Sequence, residues 1–167
     1  HALVGGTLLV EQRLDISSVY PGLFGTGDAV IIAAPRVYIV DLKYGRGEPV
    51  SAEHNEQLLM YAAGARDLAE LLGHYIDGVT VVIDQPRISP EPSRWSIRAY
   101  TLDEFVVLAG AAAQRIERGE VEFHPGEKTC RWCPIRGSCR ARADAMMAVA
   151  QAEFTRQTPT LTDEELG

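Results

Sequence analysis

The sequence has few cysteines and no long hydrophobic run, and these absences exclude two classes of protein. All three cysteines lie between Cys130 and Cys139. This odd, clustered set argues against the disulfide framework of a secreted domain and for a reducing compartment. No apolar run reaches the roughly 20 residues of a membrane span, and no secretory signal is visible. We therefore expect a cytoplasmic protein that does not associate with a membrane.

Positive charge is also scarce, because 16 basic residues stand against 23 acidic ones and the formal net charge is −7. This balance counts against a large nucleic-acid footprint, although a local basic groove is compatible with it. The 167 residues fit one domain with a real core, and the hydrophobic share of 46% is ordinary for a globular protein. The chain begins with His1 rather than methionine, which favours a fragment or a processed chain.

Two short apolar runs joined by a turn dominate the first half of the chain. The runs AVIIAA and VYIV flank the pair Pro35-Arg36, a pattern that is typical of a β-hairpin. Asp28 precedes the first run, and Asp41 and Lys43 follow the second. Three charged side chains therefore stand at the open end of the predicted hairpin.

The register of this hairpin decides how these side chains meet. If the connection is the proline and the arginine after it, Lys43 lies opposite Asp28 and Asp41 lies on the diagonal. If the turn is centred on the proline and the alanine before it, all three still share one face. Two close carboxylates repel unless a cation lies between them, and such oxygen ligands suit Mg²⁺ or Mn²⁺. The residues therefore predict a metal site, which a one-residue bulge would break.

The periodicity of the apolar residues predicts further strands and helices around this hairpin. The strands are expected at residues 8–14, 78–84 and 95–100, and the helices at 51–72, 102–118 and 140–156. Ser51 is expected to cap the first helix, and Thr101 with Glu104 forms a capping box for the second.

Several polar side chains have two interpretations. Gln57 and Tyr61 are four residues apart on the first helix, with His54 beside them, and either form its solvent side or face the metal site. Glu11 is either a solvated side chain on the first strand or a residue that points toward the metal. Arg46, in the glycine-rich loop after the hairpin, is either a plain exposed residue or a phosphate contact.

The segment from Cys130 to Cys139 has the spacing C-x₂-C-x₅-C, with Cys133 as the middle thiol. Thiolates at this spacing bind zinc or an iron–sulfur cluster, and both sites usually take four ligands. His124 would complete a zinc site, whereas a ligand upstream of His1 would favour a cubane cluster. Three reduced, unliganded thiols are the third alternative. Arginines around the segment, Arg131 among them, give a local basic patch.

One ordered set of motifs spans nearly the whole chain. It consists of Gly-x-Gly-Asp28, Asp41-Leu42-Lys43, Gln57-x-x-x-Tyr61 and the cysteine segment. This set resembles the RecB-like branch of the PD-(D/E)xK nuclease superfamily, which includes CRISPR-associated iron–sulfur exonucleases. The likeness is strongest to a phage and prophage group of uncharacterised RecB-like proteins, through EQRLD, FGTGDAVI, VDLKYGRG and Gln85-Pro86-Arg87. It covers roughly residues 8–154.

The resemblance implies a restriction-endonuclease-like α/β fold, a mixed sheet with helices on both faces. The nuclease domain would span residues 1–156 and include the cysteine segment 130–139, followed by a polar tail at 157–167. The implied activity is hydrolysis of DNA phosphodiesters with Mg²⁺ or Mn²⁺, as an exonuclease on single-stranded DNA ends. The implied setting is the cytoplasm of a bacterial host, with a phage or prophage gene and phage or host recombination or repair proteins as partners.

The resemblance also assigns roles to individual residues. The metal would be held by Asp28, Asp41, the carbonyl of Leu42 and His1, with Lys43 orienting or deprotonating the attacking water. Gln57 and Tyr61 would hold the DNA strand or the active-site network, and Arg46, Arg87 and Arg131 would contact nucleic acid. Cys130, Cys133 and Cys139 would join the C-terminal end to the N-terminal region through a 4Fe–4S cluster, with zinc as the alternative.

Two departures from the family leave other functions open. The family carries a first motif with a cluster cysteine and a histidine ligand, and no cysteine precedes Cys130 here. His1 is either the end of that motif or the last residue of a purification tag. A non-catalytic module that binds DNA or a partner is therefore one alternative. A zinc-stapled interaction domain, with His124 beside the three thiols, is another.

Overall fold

The computed structural model describes residues 6–155, and these residues form a mixed α/β structure. The chain divides into two compact units, one ending at Gly119 and one beginning at Glu120. His1 and the expected tail at 157–167 lie outside the described residues. The single domain expected over residues 1–156 stays a prediction.

Five strands of the first unit form one sheet, and two helices pack on it. The strands are β1 (Thr7–Asp15), β2 (Phe24–Ala33), β3 (Arg36–Leu42), β4 (Gly78–Asp84) and β5 (Ser93–Arg98), and the helices are α1 (Glu56–Leu71) and α2 (Ala99–Glu117). The strands lie side by side in chain order. All neighbouring pairs are antiparallel except β3 and β4, which are parallel. The predicted fold class, a mixed sheet flanked by helices, is confirmed.

β4 is buried along nearly its whole length. Its residues from Gly78 to Ile83 are all buried, which explains why its sequence is a continuous run of apolar and β-branched residues. Each neighbour of β4 contributes fully or nearly fully buried side chains, such as Val37 and Ile39 of β3 and Ile97 of β5. These residues belong to one hydrophobic core.

α1 lies close to the sheet because its inward side is made of small residues. The buried positions include Ala62, Ala63, Gly64, Ala65 and Ala69. A Cβ atom at Gly64 would lie 2.5 Å from the carbonyl oxygen of Asp15, so a larger residue there would push the helix off the end of β1.

Both helices of the first unit lie on the same face of the sheet. α1 contacts β1, β2, β3 and β4, and α2 contacts α1, β4 and β5. Leu102 of α2 is buried in the same core as the inward residues of α1. The resemblance implied helices on both faces, whereas these two share one.

The starts of the two helices differ from the prediction. Ser51 does not cap α1, because the cap is Asn55, whose Oδ1 accepts a hydrogen bond from the N–H of Leu58 at 3.1 Å. The Ser51 hydroxyl instead accepts from the backbone N–H two residues later, at 3.1 Å. α2 begins at Ala99 without a side-chain cap, so Thr101 lies inside its first turn rather than at its cap. A strand that runs directly into a helix leaves no loop residue to act as the cap.

The second unit contains a one-turn helix α3 (Glu127–Cys130) and the longer helix α4 (Arg140–Thr155), with the rest of the cysteine segment between them. Within residues 6–155, no helix combines the length and the apolar character that crossing a bilayer requires.

Candidate active site

The register of the hairpin places the two aspartates opposite each other. Ala33 pairs with Arg36 and Ala29 pairs with Val40. One step further along the same register, Asp28 faces Asp41. The turn is therefore centred on the proline and the alanine before it, and the alternative register is wrong. Opposite residues of an antiparallel pair share a face, so both carboxylates lie on the side of the sheet that α1 covers.

Hydrogen bonding fixes Asp28 at this position. Its Oδ2 accepts a hydrogen bond from the backbone N–H of Leu42 at 2.8 Å, across the end of the β2–β3 ladder. The structure thus brings Leu42 to the predicted site, with its N–H on the carboxylate.

Asp41 is buried, with 7% of its surface exposed, and Lys43 lies beside it. Lys43 Nζ is 2.9 Å from Asp41 Oδ2, while the lysine side chain itself is partly exposed. The ion pair is not aligned as a hydrogen bond, and this oxygen has no hydrogen-bond partner among the described residues. The Lys43 ammonium offsets part of the cost of burying this carboxylate, and the oxygen can still accept a further donor or cation.

Gln57 and Tyr61 lie on α1 above the beginning of β2. The Gln57 amide donates a hydrogen bond to the Tyr61 hydroxyl at 3.1 Å. The Tyr61 ring packs on Gly25, where an added Cβ would lie 2.5 Å from the ring. Gly25 therefore makes room for the tyrosine beside the strand that carries Asp28. Within the described chain, no hydrogen bond or ion pair links either α1 residue to the aspartates or the lysine.

His54 does not accompany this pair. It precedes α1 with a positive φ of 55°, and its ring lies 4.6 Å from the ring of Trp95 on β5. The prediction that placed His54 beside Gln57 and Tyr61 is wrong, because the helix starts later than Ser51 and leaves His54 in the preceding turn.

The loop between β3 and α1 is fastened to the end of β4 by Gln85. Its Oε1 accepts a hydrogen bond from the N–H of Val50 at 2.7 Å, and its amide donates to the carbonyl of Glu48 at 3.3 Å. The Lys43 N–H also donates to the carbonyl of Asp84 at 2.9 Å. Gln85 is buried, and its positioning role was not predicted from the sequence. Its place directly after a fully buried strand was the available signal.

Two of the predicted nucleic-acid contacts, Arg46 and Arg87, lie near the carboxyl ends of β3 and β4. Arg46 is exposed in the fastened loop. The Arg87 guanidinium lies 5.2 Å from the ring centroid of Tyr44, the residue after Lys43. The third predicted contact, Arg131, belongs to the second unit, and its guanidinium lies 5.1 Å from the ring centroid of Trp132.

Glu11 occupies the β1 position across from Asp28. Val10 pairs with Ala29 and Gln12 pairs with Gly27, which places Glu11 between them in register. Its backbone has a positive φ of 50°, and its side chain is exposed. Within residues 6–155, no three His, Cys, Asp or Glu side chains are grouped as a metal site. Two aspartates, rather than a complete ligand set, thus define the carboxylate site of the described chain.

The three cysteines are free thiols of intermediate exposure in the second unit. The Cys133 N–H donates to the carbonyl of Cys130 at 3.3 Å, which closes the turn between them. The backbone carbonyl of His124 accepts a hydrogen bond from the Thr129 hydroxyl. The His124 ring nitrogen Nε2 lies 3.9 Å from a carboxylate oxygen of Glu122. In the described residues these four side chains do not form a metal-binding group. Cluster and zinc binding both stay predictions.

Two shifted pKa values lie away from the carboxylate site. Hydrogen bonds from the Ser17 hydroxyl and backbone hold the pKa of Asp15 below its usual value of 3.8. A hydrogen bond with Glu117, followed by desolvation and the glutamate charge, raises the pKa of Tyr20 above 10.

A family model described as "Protein of unknown function (DUF2800)" matches residues 2–167, and the chain belongs to this family. A solved structure described as "Crystal structure of SSO0001" is 18% identical, with a TM-score of 0.42. The match covers 81% of this chain and 61% of that chain, so this chain spans less than two thirds of that neighbour's length.

Proposed function

We propose that this member of the DUF2800 family is a metal-dependent deoxyribonuclease that hydrolyses phosphodiester bonds at single-stranded DNA ends. The observation that carries the proposal is the placement of Asp28 and Asp41 at facing positions of adjacent strands, with Lys43 Nζ 2.9 Å from the second carboxylate. Two aspartates and a lysine at one sheet edge are the groups that phosphodiester hydrolysis uses to hold a metal and manage charge.

The donor set fits Mg²⁺ or Mn²⁺ on one specific ground. Asp41 is buried with the Lys43 ammonium 2.9 Å from its Oδ2, and the register places Asp28 across from it, so two carboxylates converge at one point. Asp28, Asp41 and the Leu42 carbonyl would hold the ion, with His1 as the ligand that the resemblance adds. Such an ion, when bound, lowers the pKa of a water molecule and offsets charge on the phosphate.

The other residues of the site have separate roles in this proposal. The Lys43 ammonium would orient the attacking water and stabilise negative charge on the phosphate as it develops. Gln57 and Tyr61, already joined by a hydrogen bond, would hold the DNA strand beside β2. Arg46 and Arg87 would contact phosphates at the carboxyl ends of β3 and β4.

The proposal also covers the cysteine segment, the cellular compartment of the protein and its origin. Cys130, Cys133 and Cys139 would bind a 4Fe–4S cluster with a fourth ligand from elsewhere, and zinc with His124 is the alternative. Reduced thiols suit the cytoplasm of a bacterial host. A phage or prophage origin, with recombination or repair proteins as partners, follows from the resemblance alone.

The test is cleavage of end-labelled single-stranded DNA with Mn²⁺ by the wild-type protein and three variants. Asp41→Asn and Lys43→Met are expected to lower the rate by roughly 10²-fold or more, since they remove a metal ligand and a charge-stabilising group. Asp84→Asn is the matched control, because Asp84 pairs with Leu42 and so lies on the opposite face from Asp41. No cleavage by the wild-type protein, or equal cleavage by Asp41→Asn, would remove the enzymatic proposal.

A non-catalytic module is the second candidate. It is favoured by the lack of a third ligand beside the two aspartates within the described residues. This candidate requires DNA binding in the presence of EDTA that survives Asp28→Ala, together with no cleavage under any metal condition.

A further inference from the structure

A groove of about 610 Å³ lies entirely within the second unit, between the cysteine segment and α4. Its volume falls in the range of ligand-binding sites. The lining combines three arginines with an apolar side from α4. These residues are Arg131 and Arg136 of the cysteine segment and, on α4, Arg142, Ala145, Met146 and Val149.

Two of the arginines are held in place by backbone carbonyls rather than by acids. An Arg136 guanidinium N–H donates to the carbonyl of Arg131 at 2.7 Å, and an Arg142 guanidinium N–H donates to the carbonyl of Arg136 at 3.1 Å. Neither Arg136 nor Arg142 forms an ion pair within residues 6–155. A carbonyl carries no net charge, so both guanidinium groups keep their full positive charge and spare donors. A guanidinium that is held in place and keeps its charge can donate two parallel hydrogen bonds to the oxygens of a phosphate.

The neighbouring Arg140 provides a contrast in the same segment. Its guanidinium Nε lies 2.8 Å from Asp144, which neutralises it, and it does not line the groove. The acid that does line the groove is Glu127, at the start of α3. The excess of positive charge is therefore local to the groove and does not extend over the whole unit.

An aromatic side chain adjoins the cationic side of the groove. Trp132 is 83% exposed, and the guanidinium of Arg131 lies 5.1 Å from its ring centroid. The exposed indole is therefore available to stack with a planar group of a ligand. Positive charge beside an open aromatic ring is the combination that single-stranded nucleic acids bind, with phosphates on arginine and a base stacked on the ring.

We propose that this groove is a binding site for single-stranded nucleic acid, separate from the carboxylates of the first unit. Arg136 and Arg142 bind phosphates, and Trp132 stacks with a base. An acidic peptide would use the arginines but would leave the indole without a stacking partner. The proposal does not rest on the nuclease function, because binding here needs neither Asp28 nor Asp41 nor a divalent ion.

The test is fluorescence anisotropy of a labelled thymidine oligonucleotide with the whole chain in EDTA. Replacing both Arg136 and Arg142 by alanine is expected to weaken binding at least tenfold. It should also lower the slope of log affinity against log salt by roughly 1.4, which is about 0.7 per phosphate contact in a single strand. Trp132→Ala is expected to weaken binding by roughly 5- to 150-fold, the range for a stacked base.

Three controls make the result specific. Arg140→Ala removes one charge from the same segment and should change affinity less than about threefold, because Asp144 already pairs with it. Glu127→Gln should strengthen binding by removing the acid of the groove, which a purely structural role would not produce. Asp84→Asn, at a first-unit residue outside the proposed metal site, should leave binding unchanged, and the EDTA in the assay keeps a failure of the nuclease proposal distinguishable. Far-ultraviolet circular dichroism identifies any variant that has lost its helices.

Two results would overturn the proposal. One is equal binding by the wild-type protein and by the folded double arginine variant. The other is binding of a polyglutamate peptide without binding of the oligonucleotide, which would make the groove a site for acidic protein segments. A uridine oligonucleotide is measured in parallel, and binding of either oligonucleotide supports the proposal. The oligonucleotide with the higher affinity shows whether DNA or RNA is preferred.

Discussion

The backbone N–H of Leu42 donates a hydrogen bond to Oδ2 of Asp28 at 2.8 Å. This bond joins the open ends of β2 and β3 at the point where the ladder of backbone pairs stops at Ala29 and Val40. Asp28 therefore supports the hairpin without any bound metal. It has this structural role in addition to its proposed role as a metal ligand.

Replacement of Asp28 should show whether its oxygen acceptor or its charge supports the hairpin. Asp28→Asn keeps an oxygen acceptor for the Leu42 N–H and should unfold at nearly the same urea concentration as the wild-type protein. Asp28→Ala loses the acceptor and should be less stable by about 1 kcal/mol, the typical net value of one hydrogen bond. Urea unfolding followed by circular dichroism measures both. Equal destabilisation by the two variants would show that the charge, rather than the acceptor, supports the hairpin.

Divalent metal should stabilise the folded protein through the two aspartates. A metal at a hundred times its dissociation constant adds about 2.7 kcal/mol, and each kcal/mol raises the melting temperature of a protein of this size by roughly 2–4 °C. A Mn²⁺ titration by differential scanning fluorimetry should therefore raise the melting temperature of the wild-type protein. The rise should persist in Asp84→Asn and disappear in Asp41→Asn. A rise that survives Asp41→Asn would place the ion elsewhere.

The stability of the fold should depend on a glycine at position 25, because the Tyr61 ring packs against it. Gly25→Ala puts a methyl group against the tyrosine ring and should cost about 1–3 kcal/mol in the free energy of unfolding, as overpacking does. In a Tyr61→Ala background the same replacement should cost less than about 0.5 kcal/mol, because the ring is gone. A double-mutant cycle in urea measures the difference. The same cost in both backgrounds would contradict the packing explanation.

Gln85 should control the mobility of the loop that carries Arg46. Gln85→Leu removes the bonds to Glu48 and Val50, and the loss of about 1.4 kcal/mol would open the loop about ten times more often. Trypsin should then cut after Arg46 about tenfold faster, as mass spectrometry of the fragments would show. Gln114→Leu, at an exposed glutamine of α2, is the matched control. An unchanged rate in Gln85→Leu would mean that other contacts fasten the loop.

Acid stability should depend on the pair Asp15 and Ser17. The folded pKa of Asp15 is lowered by hydrogen bonds from Ser17, so the ionised form is stabilised by folding. This contribution is complete above the unfolded value of about 3.9 and is lost as the pH falls through the lowered folded pKa. An NMR titration of Asp15 should give a pKa below the usual value for an aspartate. Ser17→Ala should raise that pKa, and an unchanged pKa would contradict the cause.

The sequence predicted most strands and helices because their hydrophobic patterns are local. β4 was predicted over its observed bounds, since a continuous β-branched run between polar residues has one interpretation. The cap of α1 was missed because Ser51 and Asn55 are both good capping residues, and it is the structure that shows the helix beginning after Asn55. Propensity alone does not separate such neighbours.

The candidate site was predictable in its residues but not in its contacts. Asp28, Asp41 and Lys43 could be placed on one face from the alternation of the hairpin alone. The bonds of Gln85 join residues that are 35 and 37 positions apart, and no local pattern encodes such a contact. The same holds for Tyr61 on Gly25, which depends on where α1 crosses the sheet.

The length of the β2–β3 connection limits which insertions and deletions this family can accept. Adding or removing one residue between Ala33 and Arg36 would shift the pairing by one and move Asp41 to the other face from Asp28. A change of two residues would preserve the side on which both carboxylates lie, since side chains alternate with a period of two. Homologous chains that share this chemistry should therefore differ at this turn by even numbers of residues, a parity rule that sequence comparison can check.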